Sequence, residues 1–335
     1  MTGALTVRFI RDGASLSALA PEWWRLWQHT PAATPFQTPG WLIPWWQAFA
    51  PGELLTLAVH MGGRLVGLAP FYLERDAARL RILPVGISVS DYLDVLVDPA
   101  VEEPVLAAIS GGYARCPQPW AEWEMSELRP GAVALRLPTP HGCDDTLQAS
   151  VPCTVLCLPD AGGAAAALPP RMRRNLRMIR NRIDRHGRAR ILEACDRDIG
   201  WWVAELWRLH QARWTSRGEP GLLRDGRLRP FHLGAMTGLA GRNILRLYAL
   251  MLGPQVAGVY YGSQHGRLAC AYLSGFDPQF AYYSPSTFLI GHALGQAAAE
   301  GGREMHFLRG DEDYKYAWGA TERWNSRRVL RRCPP

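Results

Sequence analysis

Asp311, Asp313 and Lys315 crowd into one short stretch with Arg309, Tyr314 and Trp318, in FLRGDEDYKYAWGA at 307–320. The stretch follows an apolar segment, Glu304 to Leu308, that reads as a strand. Charged and aromatic side chains at the C-terminal end of a strand are the usual makings of a site in open α/β sheets. Lys315 is the one lysine in a chain with 37 Lys and Arg residues. A compact ammonium does what a guanidinium does not, so Lys315 reads as functional; the alternative is a residual codon on a solvated loop. Upstream, Tyr283-Ser284-Pro285-Ser286-Thr287 reads as a cap residue followed by proline at the first helical position. Free N–H groups and the positive end of the dipole suit such a start to an anion such as phosphate.

These groups must be positioned by strands and helices. The chain has 335 residues with 48% hydrophobic and 20% charged, which suggests two domains with sizeable cores. Its beginning, MTGALTVRFIRDG, lacks a signal-peptide h-region, and no run reaches a membrane span. Seven cysteines without a signal suggest reduced thiols in the cytoplasm. Cys153 and Cys157 read as strand residues on one face. No partner pair follows at zinc spacing, so no metal is expected. Gly-x-Ser-x-Gly, Walker A and dinucleotide motifs are missing, and no histidine forms a triad, which disfavours hydrolase chemistry.

In chain order, helices are expected at Pro21–Trp27, Trp41–Phe49 and Pro104–Tyr113. Strands are expected at 54–60, 65–73, 79–83 and 95–97, with extended segments at 120–128 and 132–137. Residues 138–150 read as a polar loop and 161–167 as a small-residue linker. Helices at 201–214 and 230–239 then lead to strands at 244–252, 256–261 and 267–274, the Ser284 helix, the Glu304 strand, a polar loop and a basic tail. On the 201–214 helix, Val203, Leu206, Trp207, His210 and Trp214 share a face. LLTLAVHMGGRLVGLAPFY at 54–72 aligns without gaps on LRLYALMLGPQVAGVYYGS at 245–263, pairing Gly62 with Gly253 and Gly67 with Gly258. Two copies of one α/β unit are therefore expected, over 1–165 and 166–335.

The net charge of +7 is concentrated. Residues 171–190 hold nine arginines and one aspartate. Met172, Leu176, Ile179 and Ile183 form an apolar stripe on an expected helix over 170–187, begun by proline and ended by Gly187. This helix either bridges domains in solvent or presents Arg171–Arg190 to an anionic partner: tRNA, a membrane surface or nucleotide phosphates. Base reading is not expected, because no aromatic interrupts the arginines.

The order of elements in the second half is that of the GNAT acyltransferase fold. SDYLDVLVDP at 90–99, YLSGFDPQFAYYSPSTFLIGHAL at 272–294 and FLRGDEDYKYAWGA closely resemble the GNAT-like acetyltransferases of the CelD/BcsL cellulose-biosynthesis type, distant relatives of the Fem aminoacyltransferases. The resemblance runs from about Pro35 to Ala320. It implies an α/β (α+β) fold of two tandem GNAT-like units, each a mixed, mostly antiparallel sheet flanked by helices. It implies acyl transfer from acetyl-CoA or another acyl-CoA to an amine, hydroxyl or saccharide acceptor, in exopolysaccharide, cellulose or envelope synthesis. Asp311 or Asp313 would be the base. Lys315, as a catalytic residue, would meet a donor phosphate or the oxyanion, and Tyr283, Ser284, Ser286 and Thr287 would meet the donor. Arg309, Tyr314 and Trp318 would line the acceptor pocket. In the first unit, expected to be non-catalytic, Asp91, Tyr92 and Asp94 would bind the acceptor across the cleft; the alternative is a capped turn. The glycine loop of many GNAT enzymes is replaced by Phe280–Ser286, where the serine hydroxyls would stand in. An aminoacyl-tRNA donor and a non-catalytic scaffold remain the rival readings.

Overall fold

The computed structural model describes residues 3–76, 79–159, 163–215 and 224–333. The chain divides into two compact units, residues 1–151 with 324–335, and residues 152–323. The boundary thus falls earlier than 165, and the last residues fold with the first unit rather than the second.

In the first unit, Leu5–Ile10, Thr56–Met61, Arg64–Ala69 and Leu96–Val97 form an antiparallel four-stranded sheet. Phe71–Asp76 pairs with Arg79–Pro84, which runs parallel to Glu122–Leu128. The single strand expected over 65–73 is broken at Pro70, which has no N–H for a ladder; its carbonyl accepts from Val85 N at 2.8 Å. Helix Glu102–Ala114 packs on the four-stranded sheet. Gly67 makes this possible: a Cβ there would lie 2.3 Å from Val105 Cγ1.

The second unit repeats the arrangement. Ala189–Glu193, Leu245–Leu252, Gln255–His265 and Leu268–Phe276 are consecutive antiparallel neighbours. Glu304–Arg309 joins Leu268–Phe276 in parallel, and its other edge pairs with residues 153–157. Helix Pro285–Ala299 covers one face, with helix Pro170–His186 against it. Gly258, the partner of Gly67 in the repeat, is again where the helix comes closest: a Cβ would lie 2.8 Å from Pro285 Cβ. Helix Ile199–Thr215 covers the strands at Gly275, where a Cβ would lie 2.8 Å from His210 N. Val203, Leu206 and His210 are buried as the periodicity predicts, and Trp207 is half-buried. The side chain of Trp214 lies outside the described residues. Met172, Ile179 and Ile183 are buried and Leu176 half-buried, so the stripe on the arginine helix is its core face.

Three expectations at the ends of elements are corrected. Residues 132–137 are not extended: Val133–Arg136 is a 3-10 turn. Of the expected 138–150 loop, residues 138–142 are loop and turn, but 143–150 are the first part of strand Cys143–Cys157, whose outer residues face solvent and lack apolar alternation. The basic tail is strand Thr321–Arg332. Two of its arginines pair with carboxylates of the neighbouring strand: Arg331 meets Glu122 at 3.0 Å and Arg327 meets Glu124 at 2.5 Å.

Candidate functional site

In the second unit, strands Leu268–Phe276 and Glu304–Arg309 start side by side and then part. Leu268, Ala269 and Cys270 pair with Glu304, Met305 and His306, and no further residues of the two strands pair. Parallel strands with a helix between them are normally paired along their length. Here the two strands part after Cys270 and His306, which leaves a fork between them.

The Glu304–Arg309 arm of the fork is bent by its own sequence. Its register against residues 153–157 shifts between His306 and Leu308. Leu308 has φ 65° and Gly310 φ 106°. A left-handed leucine costs energy and persists only where its surroundings hold it. Lys315 is what holds it. Its ammonium donates to the carbonyls of Leu308 and Gly310, each at 3.2 Å, and to that of Arg309. Glu312 adds an ion pair at 2.8 Å. Lys315 is 2% exposed and has three N–H donors. All are used, so the expected contact of Lys315 with a donor phosphate or an oxyanion is replaced by a positioning role. The compact ammonium matters because three carbonyls converge on one point, which a planar guanidinium does not match.

Around this clamp, Asp311, Asp313 and Tyr314 are exposed and Arg309 half-buried. Tyr316 donates its hydroxyl to Glu322 at 2.6 Å, which pushes its pKa up to about 12. Trp318 is buried against Phe307, with ring centroids 6.1 Å apart. It belongs to the core rather than to an acceptor pocket.

Helix Pro285–Ala299 starts against the central strand at Gly258, which pairs with Leu250 on one side and Phe276 on the other. Ser284 is its N-cap residue with φ 48°, and its side chain makes no capping bond. The helix thus begins with the Ser284 side chain leaving its first N–H groups uncapped. Ser286 Oγ is buried and has no hydrogen-bond partner. Thr287 is half-buried, and Tyr283 packs edge-on to Tyr282 and His186. The helix start and the fork are thus assembled in one unit.

Sequence reasoning missed His306. It is the last residue paired before the fork opens, and its Nε2 lies 3.0 Å from Glu304 Oε2. Glu304 also takes Arg323 at 2.7 Å. The signal was the Glu-x-His spacing, which puts both side chains on one face of a strand.

Asp91, Tyr92 and Asp94 lie in the first unit and are built into it. Asp94 accepts from Val95 N at 2.8 Å and from Val133 N and Ala134 N at 2.7 Å. It caps the Val133–Arg136 turn from a distance, and burial pushes its pKa up to about 6 against the pull of these bonds. Tyr92 is buried with its ring edge-on to Phe36 at 6.2 Å. Asp91 is buried and its carbonyl accepts from Asn325 at 3.1 Å. The capped-turn alternative describes these residues better than acceptor binding.

Residues 170–316 match the acetyltransferase (GNAT) domain family. No curated protein matches the chain. Among solved structures, the crystal structure of FemX has a TM-score of 0.66 at 10% identity, over 96% of each chain. The C-terminal domain of a putative lysylphosphatidylglycerol synthetase from Agrobacterium fabrum has a TM-score of 0.58 at 8% identity, over 95% of this chain and 92% of that one. L-PGS from Bacillus licheniformis has a TM-score of 0.56 at 9% identity, over 93% and 91%. At these identities the likeness is one of fold. Among the described residues no group of His, Cys, Asp and Glu suited to a metal occurs, and no helix is long and apolar enough to cross a membrane.

Proposed function

We propose that this chain, with its GNAT domain over residues 170–316, transfers an acyl group from acyl-CoA to an amine or hydroxyl acceptor. The observation that carries the reading is the fork beside an uncapped helix start. The fork, where the two strands no longer pair beyond Cys270 and His306, takes the pantetheine arm. The pyrophosphate meets the helix start at Ser284, Ser286 and Thr287, where Ser286 Oγ lacks a partner. Tyr283 borders the same start.

In the reaction the acceptor's lone pair attacks the thioester carbonyl. A bond from nitrogen or oxygen to carbon forms, the carbon–sulfur bond breaks, and the thiolate takes up a proton. The acceptor must lose its own proton. Asp311 and Asp313 are the exposed carboxylates on the loop leaving the fork, and His306 with Glu304 is the imidazole at its apex. Arg309 and Tyr314 flank the acceptor's path. Lys315 acts through the backbone it holds. The finer assignment, a cytoplasmic enzyme of the CelD/BcsL type working on envelope or exopolysaccharide, rests on the resemblance of 90–99, 272–294 and 307–320.

Calorimetric titration with acetyl-CoA and CoA at two salt concentrations tests the donor. Saturable binding, weakened at least tenfold by Ser286→Asp, is expected. No binding at either salt would overturn the reading. The resemblance of the sequence to the Fem aminoacyltransferases supports a second reading, in which an aminoacyl-tRNA is the donor. Loss of transfer on ribonuclease treatment would select it.

A further inference from the structure

The arginine helix Pro170–His186 turns its apolar stripe into the core of the second unit and its arginines to solvent. On the outward face, Arg174, Arg177 and Arg185 line a groove of about 420 Å³ together with Met178, Arg182 and Tyr282. Tyr282 comes from the 3-10 helix Pro278–Tyr283 before helix Pro285–Ala299. Arg182 donates to its carbonyl at 3.1 Å and lies over its ring at 4.7 Å. The ring is still 64% exposed. Among the described residues, Arg174, Arg177 and Arg185 make no ion pair or hydrogen bond.

We propose that this groove binds an RNA strand, its phosphates along the arginines and a base on Tyr282. Three arguments lead there. First, Arg174 to Arg185 spans about 16 Å along the helix, with a charge at nearly every turn. A row of that length suits successive phosphates of a chain better than one small anion. Second, three of the guanidinium groups are unpaired. Holding like charges in a row without carboxylates is unfavourable until an anion arrives, and a polyanion gains further by releasing its counterions. Third, Tyr282 supplies the stacking surface that the arginine segment lacks by itself, already braced from one side by Arg182. Stacking of this kind is sequence-tolerant, so it does not require base reading.

A membrane surface fits less well. An interfacial helix needs a free apolar face, and the apolar face of this one is buried. Met178, 45% exposed, is the one exposed large hydrophobic side chain on the described helix. The inference deepens the anionic-partner reading and does not depend on which donor the fork takes. An RNA that binds here and has no part in transfer would leave it standing.

The test is fluorescence anisotropy of the full chain with a labelled single-stranded RNA of about ten nucleotides, over a range of salt. The triple variant Arg174→Gln, Arg177→Gln, Arg185→Gln should lose at least tenfold in affinity. Its slope of log affinity against log salt should be shallower by about 2, at roughly 0.7 per phosphate contact on a single strand. Tyr282→Ala should lose about fivefold or more with an unchanged slope. All changes are at the surface, and circular dichroism checks that the variants are folded. Arg180→Gln, exposed outside the groove, should lose less than any single groove change. Equal losses from Arg180→Gln and Arg177→Gln would overturn the groove in favour of diffuse charge. Failure of the wild type to bind RNA, while phosphatidylglycerol-containing vesicles bind it and not the triple variant, would overturn it in favour of a lipid surface.

Discussion

Glu304 and His306 stand on one face of a strand with His306 Nε2 3.0 Å from the Glu304 carboxylate. Arg323 holds the other carboxylate oxygen at 2.7 Å. The hydrogen bonds from His306 and Arg323 lower the Glu304 pKa from 4.5 to about 2. The carboxylate thus contributes stability that is complete above its ordinary pKa and lost as the pH falls toward about 2. Glu304→Gln should flatten the acid limb of stability over that window, read from urea midpoints. An unchanged acid limb would mean that the bonds do not persist in solution.

Lys315 should matter for stability before chemistry. Lys315→Met leaves three converging carbonyls and the Glu312 carboxylate without their donor. The cost should be about 3 kcal/mol, read by chemical denaturation. Lys315→Arg should recover little of it, since the planar fork does not fill a three-carbonyl point. Wild-type unfolding midpoints in both variants would refute the clamp.

Asp94 predicts the opposite pH sign. Its folded pKa, about 6, lies above the ordinary 3.8. The folded state therefore holds the proton longer, and this contribution to stability falls as pH rises through that window. Asp94→Asn should remove the window. It should also cost about 1–3 kcal/mol, because an amide N–H₂ then meets a backbone N–H. Retention of the pH dependence in Asp94→Asn would assign it to another group.

The two repeat glycines separate stability from donor binding. Gly67→Ala presses on Val105 and Gly258→Ala on Pro285. Each should destabilise by about 1–3 kcal/mol. Only Gly258→Ala moves the start of helix Pro285–Ala299, so only it should weaken acetyl-CoA binding. Equal affinities in the two variants would argue that the helix start does not meet the donor.

The repeat itself was legible because periodicity and glycine spacing survive in both hairpins. The core stripe of the arginine helix was legible for the same reason: Met172, Ile179 and Ile183 follow the helical period. The strand Thr321–Arg332 was not. Its arginines look solvated in sequence, and it takes partners elsewhere in the chain, such as Glu122 for Arg331, Glu124 for Arg327 and Asp145 for Arg328, to make them sheet residues. Lys315 stood out by its type, but its role did not. Residue identity singles out a position; the carbonyls of Leu308, Arg309 and Gly310 that occupy it belong to a bulge no local pattern announces. Asp94 misled for a related reason. A carboxylate beside an aromatic suits a ligand as well as it suits the N–H groups of Val133 and Ala134, and the choice is made by a contact distant in sequence.

The lysine that clamps the bulge leaves the described surface without a lysine amine. The other 36 of the 37 basic side chains counted as Lys and Arg are arginines, whose guanidinium groups stay protonated and are poor nucleophiles. Lys315 is shut away with its hydrogens engaged. A catalyst that handles activated thioesters risks being modified by its own reagent at any free side-chain amine. If the proposed donor is acyl-CoA, incubation with excess acetyl-CoA should leave the buried Lys315 unmodified in the folded protein and expose it to acetylation only on unfolding.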